Sequence, residues 1–153
     1  MPDGKIAPLR ISLELACSAE HAFTVWTSRI ATWWPKEHRA TTETNTEVIL
    51  EPRLGGRLFE RSRNGLEVEW GEITVWDPPS RLAYLWHIRR DRTDATEVEI
   101  RFVPVAHDAA RVEIVHRGWE RLGASGSDWR DRNVGGWNGV LPSFARAAEA
   151  RIH

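Results

Sequence analysis

Apolar and polar residues alternate along most of this chain, and a rhythm of period two marks half-buried β-strands. Within Ile6 to Ala16, Leu9, Ile11, Leu13 and Leu15 share one face against Arg10, Ser12 and Glu14. The period then changes. Ser18 stands as an N-cap with Glu20 in the first turn, where the helix dipole favours negative charge. Ala22, Phe23, Trp26 and Ile30 recur at helical spacing, which predicts a short helix to about Ser28 and a second over Arg29 to Trp34. Pro35 stops it, because the residue before a proline avoids the helical region.

Lys36 to Asn45 is polar and reads as loop; Glu47 to Pro52 and Arg57 to Arg61 read as strands flanking Gly55-Gly56. Asn64-Gly65 is a hairpin signal, since both residues tolerate positive φ. Leu66, Val68 and Trp70 alternate with Glu67 and Glu69, but beyond Gly71 the apolar face moves to Ile73 and Val75. That shift of parity predicts a bulge at Gly71. Asp77-Pro78-Pro79-Ser80 is a turn, and three more strands carry Leu82, Tyr84, Trp86 and Ile88, then Val98, Ile100 and Phe102, then Val112, Ile114 and His116. Glu67, Glu69, Glu97, Glu99 and Glu113 read as a solvated outer face, and Glu120 to Ser127 as a loop. Trp137, Leu141, Phe144 and Ala148 form one stripe of a closing helix from about Asp128, its early turns weakened by Gly135, Gly136, Gly139 and Pro142.

These elements predict an α+β chain with a curved antiparallel sheet of about six to seven strands. The sheet wraps around a long C-terminal helix, and two short helices follow the first strand. A sheet with one apolar face needs one cover, and only the last helix is long enough. The gap between them is the natural ligand site. At 153 residues the chain is one domain by size, spanning 1–153 with its core over about 8–150.

Composition sharpens this picture. Net charge is −1, so bulk electrostatics draw the chain to neither nucleic acid nor an anionic membrane surface. Cys17 is the only cysteine, which excludes an intrachain disulfide and a thiolate zinc cluster. No run suits a signal peptide or a membrane span, so the expected location is cytoplasmic, with no membrane insertion. Tryptophan is the outlier, at nine residues against one tyrosine. An indole is bulky and brings an N–H that needs a partner, so many of them together suggest a cavity wall.

Trp70, Tyr84, Trp86, Phe102 and Trp137, with Leu141 and Phe144, are the candidate wall; core packing is the alternative for each. Trp86 and Trp137 lead because they stand on opposing elements. His116 shares the inward face of Val112 and Ile114, where an imidazole can orient a carbonyl or move a proton near neutral pH. Its alternative is a histidine that is simply hydrogen-bonded. Arg57 and Glu60 have opposite parity, so one points inward and must then be paired. Cys17 lies beside a helix N-cap and reads as a spectator thiol. His21, His87 and His107 lack metal spacing, and neither a nucleophile elbow nor a dinucleotide fingerprint occurs. The expectation is no metal and no cofactor.

The order of elements carries further marks: Phe23-Thr24-Val25-Trp26, Thr32-Trp33-Trp34-Pro35 and His38; Gly55-Gly56-Arg57; Trp70-Gly71-Glu72-Ile73; and Asp77-Pro78-Pro79-Ser80-Arg81-Leu82 with Trp86. Thr96-Glu97-Val98, Arg111-Val112, His116-Arg117-Gly118-Trp119 and Gly136-Trp137 complete them. Together they resemble the SRPBCC, or START-like, superfamily. The branch is the one named for the C-terminal domain of the activator of heat-shock-protein-ninety ATPase. The resemblance implies a helix-grip fold with a hydrophobic cavity between sheet and last helix, and it puts His38 at the cavity mouth. It implies binding of a small hydrophobic or aromatic molecule. A cyclase or hydrolase-like enzyme using His116 with a strand acid is the alternative. A chaperone ATPase co-regulator is the third reading, although the chaperone activator has an additional N-terminal domain not seen in this sequence. Open edge strands allow a homodimer.

Overall fold

The computed structural model describes residues 6–39, 46–88 and 91–150. Strand β1 (Leu9–Leu15) is followed by α1 (Ala19–Thr27), whose N-cap Ser18 accepts a hydrogen bond from the His21 amide at 3.1 Å. Helix α2 (Ile30–Trp33) ends where Trp34 turns extended ahead of Pro35. The segment expected as loop begins with a 3-10 turn, Lys36–His38, and the rest of the expected loop, 40–45, lies outside the described residues.

Six strands come next: β2 (Glu47–Leu50), β3 (Arg57–Arg61), β4 (Glu67–Asp77), β5 (Arg81–Trp86), β6 (Thr96–Ala106) and β7 (Ala109–Arg117). All pair antiparallel in the order β1-β7-β6-β5-β4-β3-β2, a curled seven-stranded sheet. The Asn64-Gly65 hairpin forms as expected, with the Ser62 amide bonded to the Leu66 carbonyl at 2.8 Å. The bulge also forms: Leu58 faces Gly71 while Phe59 faces Glu69, so Trp70 is the extra residue. Gly71 is required there, because a Cβ would stand 1.8 Å from the Leu85 carbonyl oxygen.

The last helix, α3 (Gly126–Glu149), starts earlier than expected and runs through Pro142. The stretch read as loop from Glu120 is instead the 3-10 segment Trp119–Ser125 followed by the first turn of α3. Trp119 is fully buried and ties that segment down through its indole N–H, which donates to the His116 carbonyl at 3.0 Å. Trp137, Leu141, Phe144 and Ala148 face the sheet as the stripe predicts. Between α3 and the sheet lies α1, whose Trp26 meets Phe144 at 4.8 Å and Trp33 at 5.1 Å between ring centroids. That packing is solid, and it fills one end of the space under α3.

The convex face departs from expectation at one residue. Glu99 is buried rather than solvated, held by Arg81 at 2.5 Å and Arg117 at 3.2 Å, with Arg101 at 3.4 Å. Neighbouring strands place Arg81 opposite Arg101, and the carboxylate of Glu99 separates their like charges. Burial pushes its pKa up, but the ion pairs with Arg81 and Arg117 outweigh that and hold it below the usual carboxylate range. Among the described residues, no helix is long and apolar enough to cross a membrane.

Candidate functional site

The other end of the space under α3 is open. A cleft of about 430 Å³ lies where the helix stands off β5 and the Lys36–His38 turn. Its apolar wall is Trp34, Trp86, Ile88, Trp129, Trp137 and Val140, and its polar groups are Glu37, His38, Arg132 and Asn133. The helical side follows from spacing alone. Trp129, Asn133, Gly136, Trp137 and Val140 sit three or four residues apart, so they share one face of α3. Gly136 leaves room between the indoles.

Each side chain is held by its own local logic. Trp34 caps α2 and is turned back by Pro35, and its indole N–H donates to the His38 carbonyl at 3.0 Å. Trp86 ends β5 and packs with Trp34, Trp70 and Tyr84 at 5.8, 5.9 and 5.9 Å. Trp137 packs with Trp26 at 6.2 Å and edge-on with the His116 ring at 6.0 Å, and Trp26 connects through Trp33 to Trp34. The two leading candidates thus flank the cleft from opposing elements. The Arg132 guanidinium stands 4.9 Å over the Trp129 ring, and the Asn133 amide donates to the Trp129 carbonyl at 2.8 Å.

The remaining candidates lie in the core and do not line this cleft. Trp70, Tyr84, Phe102 and Phe144 are at most 1% exposed, and Leu141 is buried beside them. Phe102 packs edge-on against Phe23 at 5.3 Å. Burial pushes the Tyr84 phenol well up, with the Trp26 indole N–H pulling slightly the other way. Its hydroxyl is a packed core group.

His116, the residue named in the enzymatic expectation, does not line this cleft. It is fully buried, and both ring nitrogens are engaged. An indole N–H can only donate, so the 3.1 Å contact from Trp137 makes Nδ1 an acceptor. Nε2 then carries the proton and donates to the Thr96 hydroxyl at 2.7 Å, which donates to the Trp86 carbonyl at 3.2 Å. The relay joins the two walls of the cleft from behind. His116 therefore positions indoles and has no nitrogen left for a substrate.

Of the two charged alternatives on β3, Glu60 points inward at 1% exposure, while Arg57 lies on the outer face over the Phe59 ring at 4.1 Å. Cys17 is half-buried, and burial first and the Glu149 charge second push its thiol up, the reverse of activation. A second groove of about 520 Å³ crosses the convex face between Arg10, Glu99, Arg101, Glu113 and Arg117, where Glu99 is taken up by Arg101 and Arg117 and Glu113 pairs with Arg111 at 3.3 Å.

Sequence reasoning missed Trp34, Ile88, Trp129, Arg132, Asn133 and Val140 as cleft residues. The signal for the helical ones was present, since the Trp137 stripe continues backwards to Trp129 at helical spacing. The expected helix from about Asp128 already contained Trp129, but its stripe was followed only from Trp137 onward, past the turns interrupted by Gly135 and Gly136.

Comparison with known proteins fits this geometry. Among solved structures, the anthrahydroquino-γ-pyrone synthase Txn09, complexed with SUM, is 35% identical with a TM-score of 0.65, covering 96% of this chain and 99% of that one. CalC, a self-sacrificing resistance protein from Micromonospora echinospora, is 25% identical with a TM-score of 0.66, over 92% and 93% of the two chains. Protein NE0264 from Nitrosomonas europaea shares the fold at 12% identity and a TM-score of 0.62, over 97% and 94%. No curated protein matches the chain. The family described as activator of Hsp90 ATPase homolog 1-like protein matches residues 16–149, nearly the whole helix-grip unit, and the chain belongs to that family.

Proposed function

We propose that the protein binds a flat, fused-ring aromatic molecule in the tryptophan cleft beneath α3. The observation that carries this reading is the cleft itself: four indoles from three elements surround one open space, with a guanidinium and an imidazole on its wall. Indole faces suit planar, electron-poor rings, and offset or edge-on ring pairs add to simple burial. Txn09 supports the ligand class, since its name describes a fused aromatic product and the identity extends over nearly all of both chains.

Dihydroxyanthraquinone is a fitting probe. Titration should quench tryptophan fluorescence, and Trp129→Ala should weaken binding about three- to tenfold, the worth of one aromatic contact. Trp129 is partly exposed at the edge of α3, so the fold survives its loss. Absence of quenching, or a Trp129→Ala variant with unchanged affinity, removes the cleft as the site.

A second reading, a ring-closing enzyme, is favoured by the same synthase relative. The sequence-based version of it used His116, whose nitrogens are both taken. A chaperone contact follows from the family description alone, and the ATPase rate of the host chaperone with and without this protein would test it.

A further inference from the structure

One histidine on the cleft wall has ring nitrogens that the fold leaves unused. His38 ends the 3-10 turn, and its carbonyl is fixed by the Trp34 indole N–H. Its ring rests on α3 at Gly139, where a Cβ would stand 2.2 Å from Nε2. Only glycine admits the imidazole to this depth. The contact uses the Nε2, Cε1 and Cδ2 edge of the ring, so Nδ1 is turned away from the helix. Neither nitrogen has a hydrogen-bond partner among the described residues, and neither is sealed from solvent. The buried histidines differ: His116 is engaged at both nitrogens, and His87 is held at Nε2 by Glu69 at 3.1 Å while its Nδ1 is sealed from solvent.

We infer that His38 is the acid–base group of a ring-closing dehydration carried out in this cleft. The inference rests on the reading of the cleft as a binding site for a fused aromatic molecule. The substrate class is an aromatic phenol bearing a β-diketone side chain next to its hydroxyl. Neutral imidazole takes the phenol proton as the phenol oxygen bonds to the distal ketone carbon. It then delivers that proton to the ketone oxygen, giving a cyclic hemiketal. In the second stage the ring nitrogen takes a proton from the carbon between the carbonyl and the hemiketal, and returns it to the hemiketal hydroxyl. The C–O bond breaks, a carbon–carbon double bond forms, and water leaves a γ-pyrone. Substrate equals product plus water, so no electrons are exchanged and no co-reactant is needed. Arg132 lies on the same wall, and its guanidinium is the positive group there that can stabilise negative charge on the ketone oxygen.

The test uses an anthraquinone carrying an acetoacetyl group beside a phenol, with pyrone formation followed by absorbance. Dihydroxyanthraquinone reports binding separately. Positioned acid–base groups contribute about 10²–10⁴-fold, so His38→Gln should lower kcat at least about a hundredfold, a loss much larger than any change in its affinity for dihydroxyanthraquinone. Gly139→Ala, which displaces the ring without removing it, should also lose turnover while helicity is retained. A His38→Gln variant that keeps its rate overturns the inference. If the native protein binds dihydroxyanthraquinone yet leaves the diketone at its buffer rate, the inference falls and the binding reading stands. If it binds neither, both fall.

Discussion

The imidazole of His116 accepts a hydrogen bond from one cleft tryptophan and, through Thr96, passes one to the strand carrying the other. A neutral ring with its proton on Nε2 is the one form that satisfies both ends, because a proton on Nδ1 would face the Trp137 N–H. Replacing it with phenylalanine keeps the packing against Trp119 but leaves the Trp137 donor without an acceptor. A buried polar group without a partner costs about 1–3 kcal/mol, so His116→Phe should lower the unfolding free energy by that much and weaken the near-ultraviolet dichroism of the indoles. An unchanged denaturation midpoint would show the relay to be idle. Glu99 makes a parallel case on the outer face. Its pKa is depressed in the folded state, so its stabilisation is fully present above the ordinary carboxylate pKa and lost as pH falls through the lower folded value. Glu99→Gln should therefore cost about 1.5–3 kcal/mol at neutral pH, as for hydrogen bonds to charged groups, and the gap to the native protein should close below about pH 4. A gap that persists into acid would assign the effect to packing.

Among the elements, β4 shows what periodicity can and cannot convey. The change of apolar parity across Gly71 was legible because a bulge moves the next side chains to the other face, as at Ile73. A second irregularity between Ile73 and Val75 reverses it, so Trp76 and not Val75 takes the inward register opposite Leu82 and packs on Phe23. The need for glycine was not legible, since it comes from the Leu85 carbonyl of the neighbouring strand. Gly71→Ala should destabilise by at least about 1–3 kcal/mol, the range for overpacking, with the denaturant midpoint falling at an unchanged slope. A tolerated alanine would mean that β5 moves freely at Leu85. Helix α3 teaches the same lesson from its other end. Trp137, Leu141, Phe144 and Ala148 were readable as its buried stripe, because they meet the sheet through one periodic face. Trp34 was not readable as the opposing wall, since about a hundred residues separate it from α3 and only tertiary docking brings them together, and His38 was placed at the cavity mouth by the resemblance alone. Glu99 was misread for a related reason: alternation assigns a face, but it does not reveal that three arginines close over it.

On the scale of the whole molecule, the space between sheet and closing helix is divided into a filled end and an open one. The divider is α1, which inserts Trp26 against Trp33, Trp137 and Phe144. A resemblance of sequence implies a cavity in this fold without saying how far it extends, and here the bulk of one indole sets the limit. Trp26 is fully buried, and its N–H lies toward the Tyr84 phenol without closing a well-formed hydrogen bond. Cutting it to alanine removes packing on several rings at once and should cost about 3–5 kcal/mol, as large-to-small core substitutions do. The space left behind would be apolar and indole-shaped, adjoining the existing cleft through Trp137. Free indole should then bind the Trp26→Ala variant and restore part of its lost thermal stability, while leaving the native melting temperature unmoved, because a ligand that binds only the folded state stabilises it by mass action. Failure of the rescue would mean that α1 collapses into the gap. A native protein equally stabilised by indole would mean that the interior already contains an opening that Trp26 does not fill.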